Sequence, residues 1–209
     1  RVSDYDGPTP SFETVATYAS PSGGIPTGLE IDRATGNFFV LLSDPEGSST
    51  NESRILTVEA QTGATLAELI LPMAAIDGLE QRRDGEFFAV QGGANLLRRD
   101  LGSGSFDSIP IAPPLPAGFL GMTIDETGQL IVSTWNSQAD NRFVINPADG
   151  SWTSSVAPFR DFSLETDGQG RFFHGGFFTG VVVEDVATGS ATEIPGSRNA
   201  TGNVYAIRL

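Results

Sequence analysis

The chain has 209 residues, a formal net charge of −14, 25 glycines, 13 prolines and no cysteine. A field this negative repels phosphate backbones, so we do not expect nucleic acid as a partner, although it suits cations or basic proteins. Without cysteine the chain forms neither disulfides nor thiolate metal sites, and no apolar run approaches the roughly 18 residues that a membrane span needs. The charge also has a simpler interpretation, which is that it keeps a loop-rich protein soluble.

The first residue is Arg1 rather than methionine, which is consistent with a cleaved signal peptide and equally with a trimmed or excised domain. Since the lack of cysteine is compatible with export, we expect a secreted protein, extracellular or periplasmic. Asn51 and Asn199 each begin an acceptor triplet for N-glycosylation, which applies if the protein passes through a eukaryotic secretory pathway.

Short strands and turns are predicted along the whole chain, with almost no helix. In the first unit Leu29 and Ile31 alternate with Glu30, which predicts a strand with one apolar face. A turn at Gly36 follows, and then the apolar run 38–42 predicts a strand covered on both faces. Strands over 54–60 and 65–71 complete a four-stranded unit.

This unit recurs along the chain. A small residue, an aliphatic residue and usually a glutamate precede a turn glycine and a second, apolar strand. The copies are Gly28-Leu29-Glu30, Gly78-Leu79-Glu80, Gly121-Met122-Thr123 and Ser163-Leu164-Glu165, with turn glycines at Gly36, Gly85, Gly128 and Gly170. Repeats of roughly 40–50 residues made of short strands are typical of propeller blades. The sequence therefore predicts an all-β protein forming a single β-propeller domain over 1–209.

We predict about five four-stranded blades, of which the last is a composite of N- and C-terminal strands. The blade ranges are about 25–72, 75–112, 117–158 and 159–195, with a closing blade from 1–20 plus 196–209. Residues 200–205 repeat the turn of the first unit, but Gly202 follows Gly170 by only 32 residues. The closing blade therefore has three strands, a stub of a fourth at 197–199, or a strand supplied by another chain.

Acidic residues on the first strands of three blades are the candidate site, because these strands border the central channel, and Thr123 takes the same place in the remaining full blade. Glu30, Glu80 and Glu165 occupy equivalent repeat positions, and Asp77 and Asp161 stand at the start of two of the same strands. Converging carboxylates need either raised pKa values or a neutralising cation, and oxygen-rich sites suit Ca²⁺. The alternative is a wide, wet channel in which these side chains are simply solvated.

Two further residues are candidates for a functional role. His174 is the only histidine, and its repeat equivalents are apolar, so we expect it to be packed between blades rather than to act as a general base. Trp135 ends a second strand, where it could stack on a sugar or protein ligand or simply belong to the core.

The repeats resemble those of the NHL and SMP-30/gluconolactonase-like group of β-propellers. The resemblance rests on the stretch 26–32 with its turn at 36–37 and strand at 38–40, and on 121–125 with Gly128 and the strand at 130–132. It implies the fold, and for the SMP-30 and paraoxonase types a catalytic Ca²⁺ at one mouth of the channel. The Glu-Gly-Pro string that often opens the SMP-30 group is absent here.

Chemistry-bearing motifs are scarce, whereas the repeats are regular. We therefore expect a secreted, non-catalytic propeller that acts as a binding or assembly module for a protein or glycan, including other copies of itself. The alternative is a Ca²⁺-dependent lactonase or esterase of the SMP-30/paraoxonase type.

Overall fold

The computed structural model describes residues 2–3, 11–12, 25–32, 34–44, 52–74, 76–82, 84–99, 106–116, 118–134, 141–156, 161–176 and 180–194. All of the secondary structure there consists of strands and turns. No helix in these residues is long and apolar enough to cross a membrane.

Eighteen strands are present in the described residues. They are β1 (Val2–Ser3), β2 (Ser11–Phe12), β3 (Ile25–Ile31), β4 (Phe38–Ser43), β5 (Ser53–Val58), β6 (Thr65–Leu71), β7 (Ile76–Gln81), β8 (Phe87–Gln91), β9 (Asn95–Arg99), β10 (Phe106–Pro110), β11 (Phe119–Ile124), β12 (Leu130–Thr134), β13 (Arg142–Ile145), β14 (Trp152–Ser155), β15 (Asp161–Thr166), β16 (Arg171–Gly176), β17 (Val181–Asp185) and β18 (Ser190–Glu193).

Sixteen of these strands form four antiparallel sheets, each of four strands in chain order: β3–β6, β7–β10, β11–β14 and β15–β18. The first strands of consecutive sheets are neighbours, so β3 packs beside β7, β7 beside β11, and β11 beside β15. This arrangement is that of blades around a propeller axis, and we refer to the sheets as blades 1 to 4. The prediction of a β-propeller with four-stranded blades is confirmed.

The described residues contain four such blades rather than the five predicted. The N-terminal strands β1 and β2 pair with each other in a separate two-stranded sheet of two residues each. The predicted composite blade also needs residues 196–209, which lie outside the described residues, so its construction stays a prediction. Strands β3 and β15, at the two ends of the series, show no packing comparable to that of the three consecutive pairs.

The core lies between blades rather than within one layer. One cluster joins blades 1 and 2 through side chains that include Leu41, Ile55, Leu79 and Phe87. A second joins blades 2 and 3, and a third joins blades 3 and 4 through Ile131, Leu164 and Phe172 among others. Since successive strand residues point to opposite faces, both faces of an inner blade are apolar.

Each first strand contains a register shift close to its small residue, as in β3 between Pro26 and Gly28 and in β11 between Phe119 and Gly121. At this point the next blade comes very close. A Cβ placed on Gly28 would lie 2.8 Å from Leu79 Cβ, and one on Gly121 would lie 3.1 Å from the Leu164 backbone nitrogen. Glycine is required here because the backbones of adjacent blades leave no room for a side chain.

The two ends of the blades differ. At one end tight turns join first to second strands and third to fourth strands, for example at Gly36 and Gly63, both of which have positive φ. At the other end lie the connections between blades and between second and third strands. We call these the turn end and the loop end.

Candidate functional site

The predicted channel residues lie in one register. Each pairs with a residue near the start of its neighbouring strand: Glu30 with Phe39, Glu80 with Phe88, Thr123 with Ile131, and Glu165 with Phe173. All four side chains are buried.

Glu30 and Glu165 accept hydrogen bonds from neighbouring protein groups. Glu30 Oε1 accepts the Ile31 N–H at 2.7 Å. Glu165 Oε1 accepts the Thr166 N–H at 3.1 Å and the Thr123 hydroxyl, from the neighbouring blade, also at 3.1 Å. Among the described residues no group of three or more histidine, aspartate or glutamate side chains is placed to hold a metal ion. The Ca²⁺ site stays a prediction, and Glu165 is already used in holding blades 3 and 4 together.

The two aspartates predicted alongside these glutamates occupy different positions. Asp77 pairs with Val90 in blade 2, and Asp161 pairs with Gly176 in blade 4. In the repeat, Asp161 corresponds to Ile76, which pairs with Gln91, and not to Asp77. Burial raises the pKa of Asp77 to about 6. The side chain of Asp161 lies outside the described part of the structure, as do Trp135, Asn51 and Asn199.

A pocket of about 500 Å³ opens at the turn end, beyond the last residues of the first strands of blades 2, 3 and 4. Its lining residues are Gln81, Arg82, Ile124, Asp125, Glu126, Thr127, Gly128, Thr166, Asp167 and Gly168. A volume of this size falls within the range of roughly 300–1,000 Å³ typical of small-ligand sites.

Two of the three carboxylates that line this pocket, Asp125 and Asp167, are held in place by their own turns. Asp125 Oδ1 accepts the Thr127 N–H at 2.8 Å, the Thr127 hydroxyl at 2.7 Å and the Gln129 N–H at 2.9 Å. Asp167 Oδ1 accepts the Gln169 N–H at 2.8 Å, and its Oδ2 is 2.5 Å from Arg171 Nε. Burial opposes ionisation of Asp167, but these hydrogen bonds prevail and lower its pKa. Both side chains are therefore oriented before any ligand arrives.

Blade 2 departs from this pattern, because Arg82 stands where blades 3 and 4 have the turn aspartate. Its guanidinium is 2.7 Å from Asp84 and 2.6 Å from Glu86. The hydrogen bond from Arg82 lowers the pKa of Asp84. The pocket thus presents a fixed cation beside two fixed anions. In the sequence these turns stand out only as strand boundaries. The signal for the pocket is the aspartate that recurs shortly before each turn glycine.

His174 is completely buried, as its apolar repeat equivalents predicted. Its Nε2 lies 2.8 Å from Glu184 Oε2, and the same carboxylate is 2.5 Å from Arg142 Nη2 of blade 3. Arg142 also stacks over the ring of Phe172, 5.0 Å from its centroid. Burial by itself would raise the pKa of Glu184, but Arg142 and His174 outweigh it and lower that pKa. The arrangement joins blades 3 and 4.

No protein-family model matches the chain, and no curated protein sequence matches it. Solved structures do match the chain. Virginiamycin B lyase from Staphylococcus aureus is 17% identical, with a TM-score of 0.56, over 84% of this chain and 57% of that one. The β-propeller domain of Cps50 (Swd1) from Myceliophteria thermophila is 13% identical, with a TM-score of 0.56, over 90% and 61%. The extracellular domain of the putative one component system BT4673 from B. thetaiotaomicron is 15% identical, with a TM-score of 0.52, over 90% and 24%.

At these identities the similarity shows the fold alone. The described chain spans less than two thirds of each of these proteins. The propeller fold is shared by proteins as different as a lyase and a WD40-repeat protein. The narrower NHL or SMP-30 membership suggested by the sequence is not among these findings and stays a prediction.

Proposed function

We propose that this protein is a secreted binding module whose protein or glycan ligand contacts the turn-end pocket. The observation that carries the proposal is that three blades converge on one open pocket of about 500 Å³. Propellers commonly present a composite surface to a ligand because each blade contributes one turn to the same end.

The lining favours a ligand rich in hydrogen-bonding groups. Gln81 provides an amide and Thr166 a hydroxyl, while Asp125 and Asp167 provide oriented acceptors. Sugar hydroxyls and the polar side chains of a protein can both form hydrogen bonds with such a surface. Because the donors and acceptors are held by turn hydrogen bonds, little side-chain entropy is lost when a ligand binds.

A calcium-dependent lactonase or esterase was the alternative from the sequence. That chemistry needs channel carboxylates free to bind an ion, whereas Glu30 and Glu165 accept hydrogen bonds from neighbouring protein groups. These hydrogen bonds to Glu30 and Glu165 favour a binding module over a calcium-dependent hydrolase.

The proposal is tested with an array of neutral and charged oligosaccharides and a set of basic and acidic peptides, followed by calorimetry on those that bind. Glu126→Trp places an indole in the pocket from an exposed turn position and should weaken binding roughly tenfold or more. The matched control is Ala34→Trp, on the exposed turn of blade 1, which does not line the pocket.

Ligands that bind both variants as tightly as the unmodified protein would place the site elsewhere and overturn the assignment to this pocket. Secretion is tested separately, by locating the protein in the medium, periplasm or cytosol of its native source; a cytosolic location would overturn that part.

A further inference from the structure

The lining of the turn-end pocket carries more negative than positive charge. Asp125, Glu126 and Asp167 contribute three carboxylates, whereas Arg82 contributes one guanidinium group. Asp125 and Glu126 belong to the turn of blade 3 and Asp167 to that of blade 4. The excess of negative charge therefore comes from two neighbouring blades that share one opening.

The positive charge of Arg82 is already matched within the protein. Its Nη2 lies 2.7 Å from Asp84 and 2.6 Å from Glu86, and its Nε lies 2.9 Å from Asp84. An anionic ligand would have to compete with both carboxylates for this guanidinium. The pocket therefore disfavours anions in spite of its arginine.

Several other donors of the lining are used within their own turns. The Thr127 hydroxyl donates to the Asp125 carboxylate at 2.7 Å, and the Gly128 N–H donates to the Asp125 carbonyl at 3.0 Å. The Gly168 N–H donates to the Thr166 hydroxyl at 3.1 Å. A ligand that mainly accepts hydrogen bonds finds few donors here.

Acceptors, by contrast, are available. All three hydrogen bonds to the Asp125 carboxylate end on Oδ1, and Oδ2 accepts none from the described residues. The exposed carboxylate of Glu126 makes no hydrogen bond or ion pair with the part of the chain that the structure describes. Guanidinium and ammonium groups carry only donors together with a positive charge, so they match both the free oxygens and the charge.

The same features separate a basic polypeptide from a glycan. A neutral sugar can donate hydroxyl groups to these oxygens but leaves their charge unbalanced, and an acidic sugar is repelled by them. The net charge of −14 adds a long-range attraction for basic partners.

Resting on the proposed role of this pocket as the ligand site, we propose that it binds arginine or lysine side chains from a basic segment of a partner polypeptide. Asp125 Oδ2 and the Glu126 carboxylate accept charge-assisted hydrogen bonds from the bound side chain. The ligand is thereby narrowed from a protein or glycan to a basic stretch of polypeptide.

The experiment uses a labelled peptide in which arginine alternates with glycine, and two peptides of the same length with glutamine or glutamate in place of arginine. Fluorescence anisotropy measures their binding to the full chain. The arginine peptide should bind at least roughly tenfold more tightly than the glutamine peptide, and the glutamate peptide should not bind. Binding of the arginine peptide should weaken as NaCl is raised.

Matched substitutions separate the pocket from the general attraction of an acidic protein. Asp125→Asn and Glu126→Gln each remove one charge and should weaken binding of the arginine peptide roughly tenfold. Asp32→Asn is the control, because Asp32 is the turn aspartate of blade 1, accepts the Ala34 N–H at 3.0 Å and does not line the pocket. It should bind the peptide as tightly as the unmodified protein does. Circular dichroism of each variant establishes that it is folded.

Equal affinity of the arginine and glutamine peptides would overturn this proposal. So would an equal effect of Asp32→Asn, Asp125→Asn and Glu126→Gln, because the attraction would then reflect net charge alone.

Glu126→Trp distinguishes this failure from failure of the proposed function. A neutral oligosaccharide whose binding Glu126→Trp weakens, while the arginine peptide does not bind, would overturn the basic ligand and leave the pocket as the ligand site. Binding of the arginine peptide that Glu126→Trp does not weaken would overturn both.

Discussion

At the scale of single residues, Asp77 is a partly buried carboxyl group whose ionisation opposes folding. It lies on the first strand of blade 2, and the structure describes no hydrogen bond or ion pair for its carboxyl group. Burial raises its pKa from 3.8 to about 6. The folded protein therefore holds this proton at pH values where the unfolded chain has released it, so stability decreases as the pH rises from about 4 to 6 and stays lower above that range.

Asp77→Asn keeps the shape of the side chain and removes this cost. We expect the variant to be more stable than the unmodified protein at pH 7, on the order of 1 kcal/mol after allowing for solvent screening at this partly exposed site. The difference should vanish near pH 4. Urea unfolding from pH 4 to 8 measures it.

Glu126→Gln, at an exposed turn position, controls for the change in net charge. A pH-independent difference between Asp77→Asn and the unmodified protein would show that burial of this carboxyl group is not what the substitution relieves.

The burial of His174 could be predicted from the sequence, while its partners could not. Its repeat equivalents Val40, Ala89 and Val132 are all apolar, which indicated a packed position. Arg142 and Glu184 lie 42 residues apart on different blades, and their contact at 2.5 Å depends on how those blades face each other. No local pattern contains that information.

At the scale of the elements, the register shift in each first strand explains where strand prediction was least accurate. In blade 2, β7 begins at Ile76, three residues before the Leu79 of its repeat. Ile76 and Leu79 are three residues apart, yet both pack in the core between blades 1 and 2. The extra residue at the bulge places both side chains on the same face of the sheet. The start of the strand therefore does not follow the two-residue alternation by which strands are predicted.

Gly28 is the element-scale test of the close approach between blades. Gly28→Ala adds a Cβ that would lie 2.8 Å from Leu79 Cβ and 3.0 Å from the Leu79 backbone nitrogen, so the two first strands must separate. We expect a loss of about 1–3 kcal/mol in the free energy of unfolding. Denaturant unfolding followed by circular dichroism measures it.

Ala67→Val on β6 enlarges an exposed strand residue and should change stability little. A Gly28→Ala protein as stable as the unmodified one would mean that the spacing of blades 1 and 2 adjusts freely.

At the scale of the whole molecule, the net charge of −14 means that the acidic side chains repel one another and destabilise the folded state. Raising NaCl from about 0.01 M to about 1 M shortens the Debye length from roughly 30 Å to roughly 3 Å. We expect the melting temperature to rise over this range.

Ca²⁺ at matched ionic strength then tests the predicted channel site. If the site is specific, Ca²⁺ should raise the melting temperature further than NaCl does. Glu30→Gln, Glu80→Gln or Glu165→Gln should remove this additional rise, and EDTA should reverse it. Equal melting temperatures in CaCl₂ and NaCl at the same ionic strength would count against the calcium prediction.

The sequence by itself determined the four-stranded repeat, because glycine turns and apolar second strands recur at a fixed interval and each is a local property. It also placed Glu30, Glu80 and Glu165 in one register, since each follows a small and an aliphatic residue. Only the tertiary structure decided how neighbouring blades pack, where the pocket at the turn end lies and how exposed Leu29 is, because each depends on which blade lies beside which. Side chains that are equivalent in the repeat differ in burial, since Leu79 packs against Gly28 of β3 and is 1% exposed, whereas Leu29 is 37% exposed.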